Sequence, residues 1–219
     1  EAGFAAASGG GVTSDSRENT LGGTDAGANL NLSASESWQA ATNTFFGFEA
    51  GKTQTTGAYN TFIGHKSGHD VTTGYSNTLV GVSSGENNTG DENTFVGYKT
   101  GGDEASTSTC TGMGINAMKD ATCIYGTGIG VYALENASGS NNTALGHYAG
   151  QPTTSGSNNL FLGYYSGSSS SPSGSITTGS NNVVLGDNNI QNLYCADTSI
   201  SSSDSRDKTD VTSFTIGLD

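Results

Sequence analysis

Basic residues are scarce in this sequence, which has seven Lys and Arg against twenty Asp and Glu and a net charge of −13. The seven are spread along the chain and form no basic patch: Arg17, Lys52, Lys66, Lys99, Lys119, Arg206 and Lys208. Because proteins bind nucleic acid by placing Lys and Arg against its phosphates, we expect no nucleic-acid partner. An acidic, polar surface instead favours the solubility of a large assembly.

Long apolar runs and cysteines are also rare. No apolar run approaches the roughly 18 residues that a membrane-spanning helix needs, so we expect no membrane insertion. Cys110, Cys123 and Cys195 are too few and too irregularly spaced for a disulfide framework or a zinc site. Buried thiols are the simplest interpretation, with a Cys110–Cys123 pair as the alternative. The sequence begins at Glu1 and ends at Asp219, and we expect it to be a segment of a longer protein.

A low content of charged residues (12%) and hydrophobic residues (32%), together with 34 Gly, is at first sight typical of disordered chains. The apolar residues are not scattered, however. They recur in ten copies of the phrase N-T-Φ-Φ-G (Φ, apolar), often followed by x-x-[AST]-G. From Gly47 to Gly163 the anchor glycines follow one another about every 16–17 residues, the mark of a repeat architecture. The gaps from Gly23 to Gly47 and from Gly163 to Gly186 are longer.

This period fits one coil of a β-solenoid made of two strands of about five residues and two turns. We therefore predict an all-β fold, a parallel β-roll or β-solenoid of about ten coils, roughly 50 Å long at one strand spacing per coil. Glycine after each strand allows the positive φ of a tight turn. The repeated asparagines are expected to form a ladder, and the small residue before the second glycine lets adjacent coils approach closely.

The coils are too small to bury all of their apolar residues. Each offers two or three large apolar side chains, so a single chain would expose an apolar stripe along its whole length, and such a stripe needs a partner. Identical chains side by side would bury it symmetrically. We therefore predict an intertwined homotrimer.

The repeat resembles the head repeats of trimeric autotransporter adhesins, which form a trimer of left-handed parallel β-rolls, and those of phage tail fibres. Its period is longer here than in the typical adhesin head. Residues 187–219 resemble the junction into the endosialidase-type intramolecular chaperone of phage tail fibres and tailspikes, whose opening motif here reads SDSRDKTDV from Ser203.

That resemblance implies a chaperone that trimerises the fibre and then releases itself by autoproteolysis. The cut would fall between Ser203 and Asp204, with Ser203 as nucleophile and Lys208 or Asp204 assisting. A serine hydroxyl needs such an adjacent base, and a lysine of lowered pKa is one solution. The alternative is that Arg206 and Lys208 only pair with neighbouring aspartates. Apart from this self-cleavage we expect no enzymatic activity.

Surface aromatics give candidate binding residues. Phe48, Tyr98, Tyr148 and Tyr164 recur at or near the position after the anchor glycine and are candidates for stacking on a glycan, with packing between coils or chains as the alternative. His65 and His147 share that position and are interpreted as surface-ladder residues. We predict no metal site and no cofactor.

We predict that the chain is divided into four regions: an N-terminal cap with a first repeat and insertion (1–42), a repeat shaft (43–186), a junction (187–203) and the start of a chaperone domain (204–219). The expected function is that of a structural, receptor-binding segment of a viral tail fibre, extracellular and part of the virion, contacting a host surface glycan or protein. A polysaccharide-degrading tailspike and a bacterial trimeric surface adhesin are the alternatives.

Overall fold

The fold is built from short strands that follow one another at nearly constant spacing. A computed structural model describes residues 12–102, 107–122 and 124–193. Within those residues there is no helix, and eleven three-residue strands form one sheet. The strands are β1 (Val12–Ser14), β2 (Thr20–Gly22), β3 (Thr44–Phe46), β4 (Thr61–Ile63), β5 (Thr78–Val80), β6 (Thr94–Val96), β7 (Thr111–Met113), β8 (Thr127–Ile129), β9 (Thr143–Leu145), β10 (Leu160–Leu162) and β11 (Val183–Leu185).

Strands β2 to β11 are parallel neighbours in chain order, each paired with the next. From β3 to β10 the spacing is nearly constant, so the chain makes seven regular turns between them. The steps from β2 to β3 and from β10 to β11 are longer. The predicted parallel β-solenoid is therefore confirmed. Strand β1 pairs antiparallel with β2 and covers the free edge at that end of the sheet.

The chain divides into two compact units, Glu1–Asn189 and Ile190–Asp219. All eleven strands belong to the first unit. In the second unit the structure describes residues 190–193, which form no strand. No described residue belongs to a helix long and apolar enough to cross a membrane.

The prediction of two strands per coil is wrong, because each regular coil has one strand in the described residues and closes with turns. The physical reason is a repeated set of left-handed residues. After β3 these are Gly47, Glu49, Gly51 and Tyr59, with φ values of 145°, 55°, 60° and 61°, whereas a strand needs negative φ throughout. The turns still stack, because the Gly51 amide donates to the Ser67 carbonyl of the next coil at 3.0 Å.

The anchor glycines are required by close backbone contact between coils. At Gly64, where φ is +136°, a Cβ would lie 2.3 Å from the carbonyl oxygen of Gly81 in the next coil. No side chain fits at that distance, and the positive φ independently disfavours an L-residue. The predicted role of this glycine in the tight turn is confirmed, and the structure adds the coil-to-coil contact.

The predicted asparagine ladder is present and lies inside the solenoid. Asn77 shows the pattern: its Oδ1 accepts the backbone N–H of Asn93 in the next coil at 2.9 Å, and its Nδ2 donates to the Gly90 carbonyl at 3.0 Å. Its own backbone N–H donates to Oδ1 of Asn60 in the preceding coil at 2.9 Å. These groups are buried, so each unmade hydrogen bond would cost the desolvation of a polar group. The ladder comprises Asn19, Asn43, Asn60, Asn77 and Asn93, and it resumes at Asn142, Asn159 and Asn182.

The core is one large side chain wide, and the source of that side chain changes along the solenoid. In most coils the middle strand residue fills it, and Phe45 and Phe62 stack with ring centroids 4.8 Å apart. In β7 and β8 that residue is glycine, at Gly112 and Gly128, and the core is filled from the turn by Met118 and Leu134 instead. Met118 and Leu134 occupy the position of the second glycine and adopt its left-handed conformation, with φ of 54° and 50°.

We expect Asn77→Ala to lower the free energy of unfolding by about 3 kcal/mol, because it leaves the Asn93 amide and the Gly90 carbonyl unpaired in the core. Urea unfolding followed by circular dichroism measures this. Asn29→Ala is the matched control, since Asn29 is exposed and outside the ladder. Equal losses in the two variants would contradict a stabilising ladder.

Because the core is filled either from the strand or from the turn, we predict that substitutions at Gly112 and Met118 have strongly coupled effects on the free energy of unfolding. Gly112→Phe alone should destabilise by about 1–3 kcal/mol through overpacking, because a Cβ there lies 2.8 Å from the Phe95 ring. Met118→Gly alone should cost about 2–4 kcal/mol through the cavity that it leaves. The double variant recreates the arrangement at Phe95 and Gly101. We therefore expect its loss of unfolding free energy to be at least about 2 kcal/mol smaller than the sum of the losses of the two single variants. Additive losses would contradict the exchange.

Candidate functional site

The outer face of the sheet carries an exposed apolar stripe, as the sequence predicted. One row consists of the third residue of each strand, and a second row consists of the residue after each anchor glycine. Phe46, Leu145 and Tyr164 are 50%, 51% and 55% exposed. We call the following residues the apolar stripe: Phe46, Ile63, Val80, Val96, Met113, Ile129, Leu145 and Leu162 in the first row, and Phe48, Val82, Tyr98, Ile115, Val131 and Tyr164 in the second.

His65 and His147 fill the two remaining places in the second row. His65 stacks on Phe48 with centroids 5.3 Å apart, and His147 stacks on Tyr164 at 5.5 Å. This is the arrangement of a surface ladder, in which equivalent residues of successive coils cover one another. One face of Phe48 and one face of Tyr164 are therefore covered by a histidine ring.

Tyr148 lies in a different row, two residues after the anchor glycine. Its ring is stacked between Tyr132 and Tyr165, with centroids 4.9 Å and 4.8 Å away. Burial within this stack raises the pKa of Tyr148, and the neighbouring Tyr165, Tyr132 and Glu135 raise it further. Both ring faces are occupied, so the predicted stacking of a glycan on Tyr148 is not compatible with this geometry.

Tyr98 lies in the second row of the apolar stripe and is 49% exposed. Its neighbours in that row, Val82 and Ile115, are aliphatic, and the Lys99 ammonium is 5.9 Å from its ring centroid. The four aromatic candidates therefore do not form one platform. Phe48, Tyr98 and Tyr164 belong to the apolar stripe in separate coils, and Tyr148 belongs to the tyrosine stack.

A charged network lies on the turn side of the coils around Glu49. Its carboxylate contacts Lys52 and lies 3.9 Å from Lys66 Nζ and 3.4 Å from His69 Nε2. The hydrogen bond from Lys52 lowers the pKa of Glu49, against an opposing effect of burial, and nearby positive charges lower it further. The same hydrogen bond raises the pKa of Lys52. Surface pairs of this kind contribute little each and serve here to link adjacent coils.

One cluster on this side has ligand atoms close enough to share a metal ion. His69, Asp70 and Glu86 place one ligand atom each within 4.8 Å of one another. His69 and Glu86 are one coil apart in sequence, which is why the solenoid brings them together. His69 Nδ1 already lies 2.7 Å from Asp70 Oδ1, and its Nε2 faces Glu49. His69 is thus already in contact with Asp70 and Glu49, and the arrangement gives no separate indication of a metal.

Arg17 organises the long insertion between β2 and β3, a role that the sequence does not reveal. Its guanidinium donates to the backbone carbonyls of Leu32 at 3.0 Å, Ala34 at 2.9 Å, Glu36 at 3.0 Å and Ser37 at 3.3 Å. It also donates to the carbonyl of Gln39. These five contacts fold the insertion around one side chain and position Trp38, the only tryptophan of the chain.

The residues predicted for self-cleavage, Ser203, Asp204 and Lys208, lie outside the described residues, as do Cys123 and Cys195. Cys110 is buried and takes the place of an asparagine in the ladder, where its Sγ lies 3.3 Å from the Gly126 amide. The position of Cys110 was visible in the sequence once its coil was aligned with the others.

Comparisons with known proteins add no relative: no family model, no curated protein and no solved structure matches this chain.

We expect Arg17→Met to release the insertion, because five carbonyls lose their donor at once. Limited proteolysis should then cut between residues 30 and 41 at least about tenfold faster than in the unmodified chain, in line with local opening that depends on local contacts. Lys66→Met is the control, since Lys66 lies in the charged network and not at the insertion. An unchanged cleavage rate in Arg17→Met would show that the guanidinium does not hold the insertion.

Proposed function

We propose that this chain is a segment of a phage-type tail fibre: a rod of about ten coils, assembled as a homotrimer, that contacts the surface of the host cell. The observation that carries the proposal is the apolar stripe. It runs over successive coils of a parallel solenoid and leaves large side chains half exposed. Contiguous exposed apolar surface of this kind marks a protein interface.

Self-association is the most economical way to cover the stripe. The stripe is linear and repeats with the coil, so a copy of the same chain offers a surface of matching period. Closed symmetry lets each copy present the same stripe and leaves none uncovered. The resemblance of the repeat to trimeric adhesin heads and tail-fibre repeats favours three copies.

Assignment to a tail fibre rests on the sequence after the solenoid. The motif that begins at Ser203 resembles the opening of the endosialidase-type intramolecular chaperone, which in that family trimerises a fibre and then releases itself. We propose the same maturation here, with cleavage between Ser203 and Asp204. Ser203 would be the nucleophile, and Lys208 or Asp204 would assist it. This step occurs once in each chain and is not catalytic turnover.

Contact with the host is assigned to the outer surface of the rod. A stack of ten parallel strands with one spacing of about 4.8 Å between neighbours extends for roughly 43 Å. Such a scaffold positions loops rigidly while letting their sequences vary, which is the usual arrangement of receptor-binding proteins. The receptor would be a glycan or a protein of the host surface, and the fibre would be part of the extracellular virion.

Light scattering at low micromolar concentration tests the assembly. We expect a native mass of about three times the 22.1 kDa of the single chain. Leu145→Asp should reduce it towards the monomer, because a carboxylate would be buried in the interface. Leu145 is 51% exposed within one chain, so the same change should leave the fold of a single chain intact.

Thr73→Asp is the control for the added charge, since Thr73 is exposed and lies outside the apolar stripe. It should leave the native mass unchanged. A stable monomer of the unmodified chain would contradict the covered stripe, and the tail-fibre assignment would then depend on the Ser203 motif alone.

A further inference from the structure

The insertion between β2 and β3 forms one wall of an open groove with a volume of about 580 Å³. The other wall is the outer surface of the first coils. Two exposed aromatic side chains line it, Trp38 at 50% and Tyr59 at 52% exposure. The groove falls in the size range of small-molecule sites, which combine apolar surface with a few placed polar groups.

Four polar side chains of the groove are not used by the protein itself. Glu18 and the hydroxyl-bearing Ser16, Ser37 and Thr42 line it, and all four are exposed. Among the described residues, no hydrogen bond or ion pair engages the Glu18 carboxylate or these three hydroxyls. They are therefore available to a ligand rich in hydroxyl groups.

The backbone presents these side chains in a fixed way. Glu18, Thr42 and Tyr59 each precede a ladder asparagine, and each adopts a left-handed conformation with φ of 62°, 56° and 61°. The following asparagines, Asn19 and Asn43, are locked together by the hydrogen bond from the Asn43 amide to Asn19 Oδ1 at 2.8 Å. The three side chains thus project from adjacent coils, on a rigid base and at the strand spacing.

The second wall is rigid as well. Arg17 binds five carbonyls of the insertion, and its own carbonyl accepts the Thr42 amide at 2.9 Å. Trp38 follows Ser37, one of the residues held by Arg17. The site is therefore largely formed before any ligand arrives, which reduces the entropic cost of binding.

We propose that this groove binds a neutral saccharide. The C–H face of a pyranose ring would pack on Trp38 or Tyr59, and its hydroxyls would donate to the Glu18 carboxylate and exchange hydrogen bonds with Ser16, Ser37 and Thr42. This inference rests on the proposed function, because it names the chemical class of the receptor. It assigns receptor binding to the groove and not to the four aromatic residues predicted from the sequence.

The charge of the groove selects against acidic sugars. The Arg17 guanidinium uses most of its five N–H groups on the insertion carbonyls, so it cannot offer a carboxylate the two parallel N–H donors of a bidentate pair. Glu18 supplies an exposed negative charge, and the whole chain has a net charge of −13. A sialic or uronic acid would meet like charge at the site.

Fluorescence gives a direct test, because Trp38 is the only tryptophan. The chain would be titrated with maltotetraose, chitotetraose and a galactose tetrasaccharide, and with N-acetylneuraminic acid as the acidic comparison. We expect a saturable change in Trp38 emission with at least one neutral oligosaccharide, and a weaker response or none with N-acetylneuraminic acid.

Three variants complete the test. Tyr59→Ala and Glu18→Gln should each weaken binding at least about fivefold, while circular dichroism shows an intact fold. Tyr125→Ala is the matched control: Tyr125 occupies the position of Tyr59 in another coil, with φ of 58° and 61% exposure, but does not line the groove. It should leave the affinity unchanged.

The inference is overturned if no neutral oligosaccharide changes Trp38 emission, if N-acetylneuraminic acid binds more tightly, or if Tyr59→Ala and Glu18→Gln bind as the unmodified chain does. A trimeric mass with no change in Trp38 emission would contradict saccharide binding in the groove and leave the tail-fibre proposal standing. A monomeric mass with a saturable change in Trp38 emission would support the saccharide groove and contradict the covered stripe, so the tail-fibre assignment would then depend on the Ser203 motif alone.

Discussion

The interaction on which the rest of the structure depends is the hydrogen bond from the backbone N–H of one ladder asparagine to the side-chain oxygen of the asparagine one coil earlier. Asn60 receives the Asn77 amide in this way, and its Nδ2 donates to the Gly74 carbonyl at 2.7 Å. A slip of one residue would leave both groups unpaired inside the core, where unpaired polar groups are costly. The ladder therefore fixes the register of a strand that is only three residues long.

A fixed register at one strand spacing dictates which side chains the coils can contain. Anchor glycines contact the backbone of the next coil, and the residues before the second glycine, such as Ala50, Ser67 and Ala149, are buried and small. In most coils one large apolar side chain fills the core, and the coil of β9 contributes only Ala144 and Ala149. Stability therefore accumulates coil by coil as in other solenoids. Where the strand provides glycine, as at Gly112, the turn has to provide the volume, and Met118 accepts an unfavourable φ to do so.

The same geometry explains what the sequence could predict. A short, nearly constant period with apolar residues at fixed places is enough to predict parallel strands, the ladder and the exposed stripe. It did not predict one strand per coil, because residues such as Glu49 and Tyr59 adopt left-handed conformations that are not expected from their residue type. Stacking explains them: equivalent residues in successive coils share the conformation, so hydrogen bonds between coils support it.

Some of the candidate sites could likewise be predicted from the repeat, and others could not. The aromatic residues of the stripe could be located from the repeat alone, since their position in the coil is their position on the surface. The covered faces of Tyr148 could not, because they depend on rings in two neighbouring coils. The groove at Trp38 could not be predicted either, since it depends on five carbonyls that contact one guanidinium within an insertion that has no repeat.

A regular coil also limits where such a concave site can form, because successive coils of equal length place equivalent residues above one another and leave an outer face of shallow rows. A wall can form beside those rows where a coil is longer than its neighbours, as in the steps from β2 to β3 and from β10 to β11. The long insertion between β2 and β3 is therefore one part of this solenoid that can enclose a small ligand, while the regular coils provide rows suited to contact with another elongated surface.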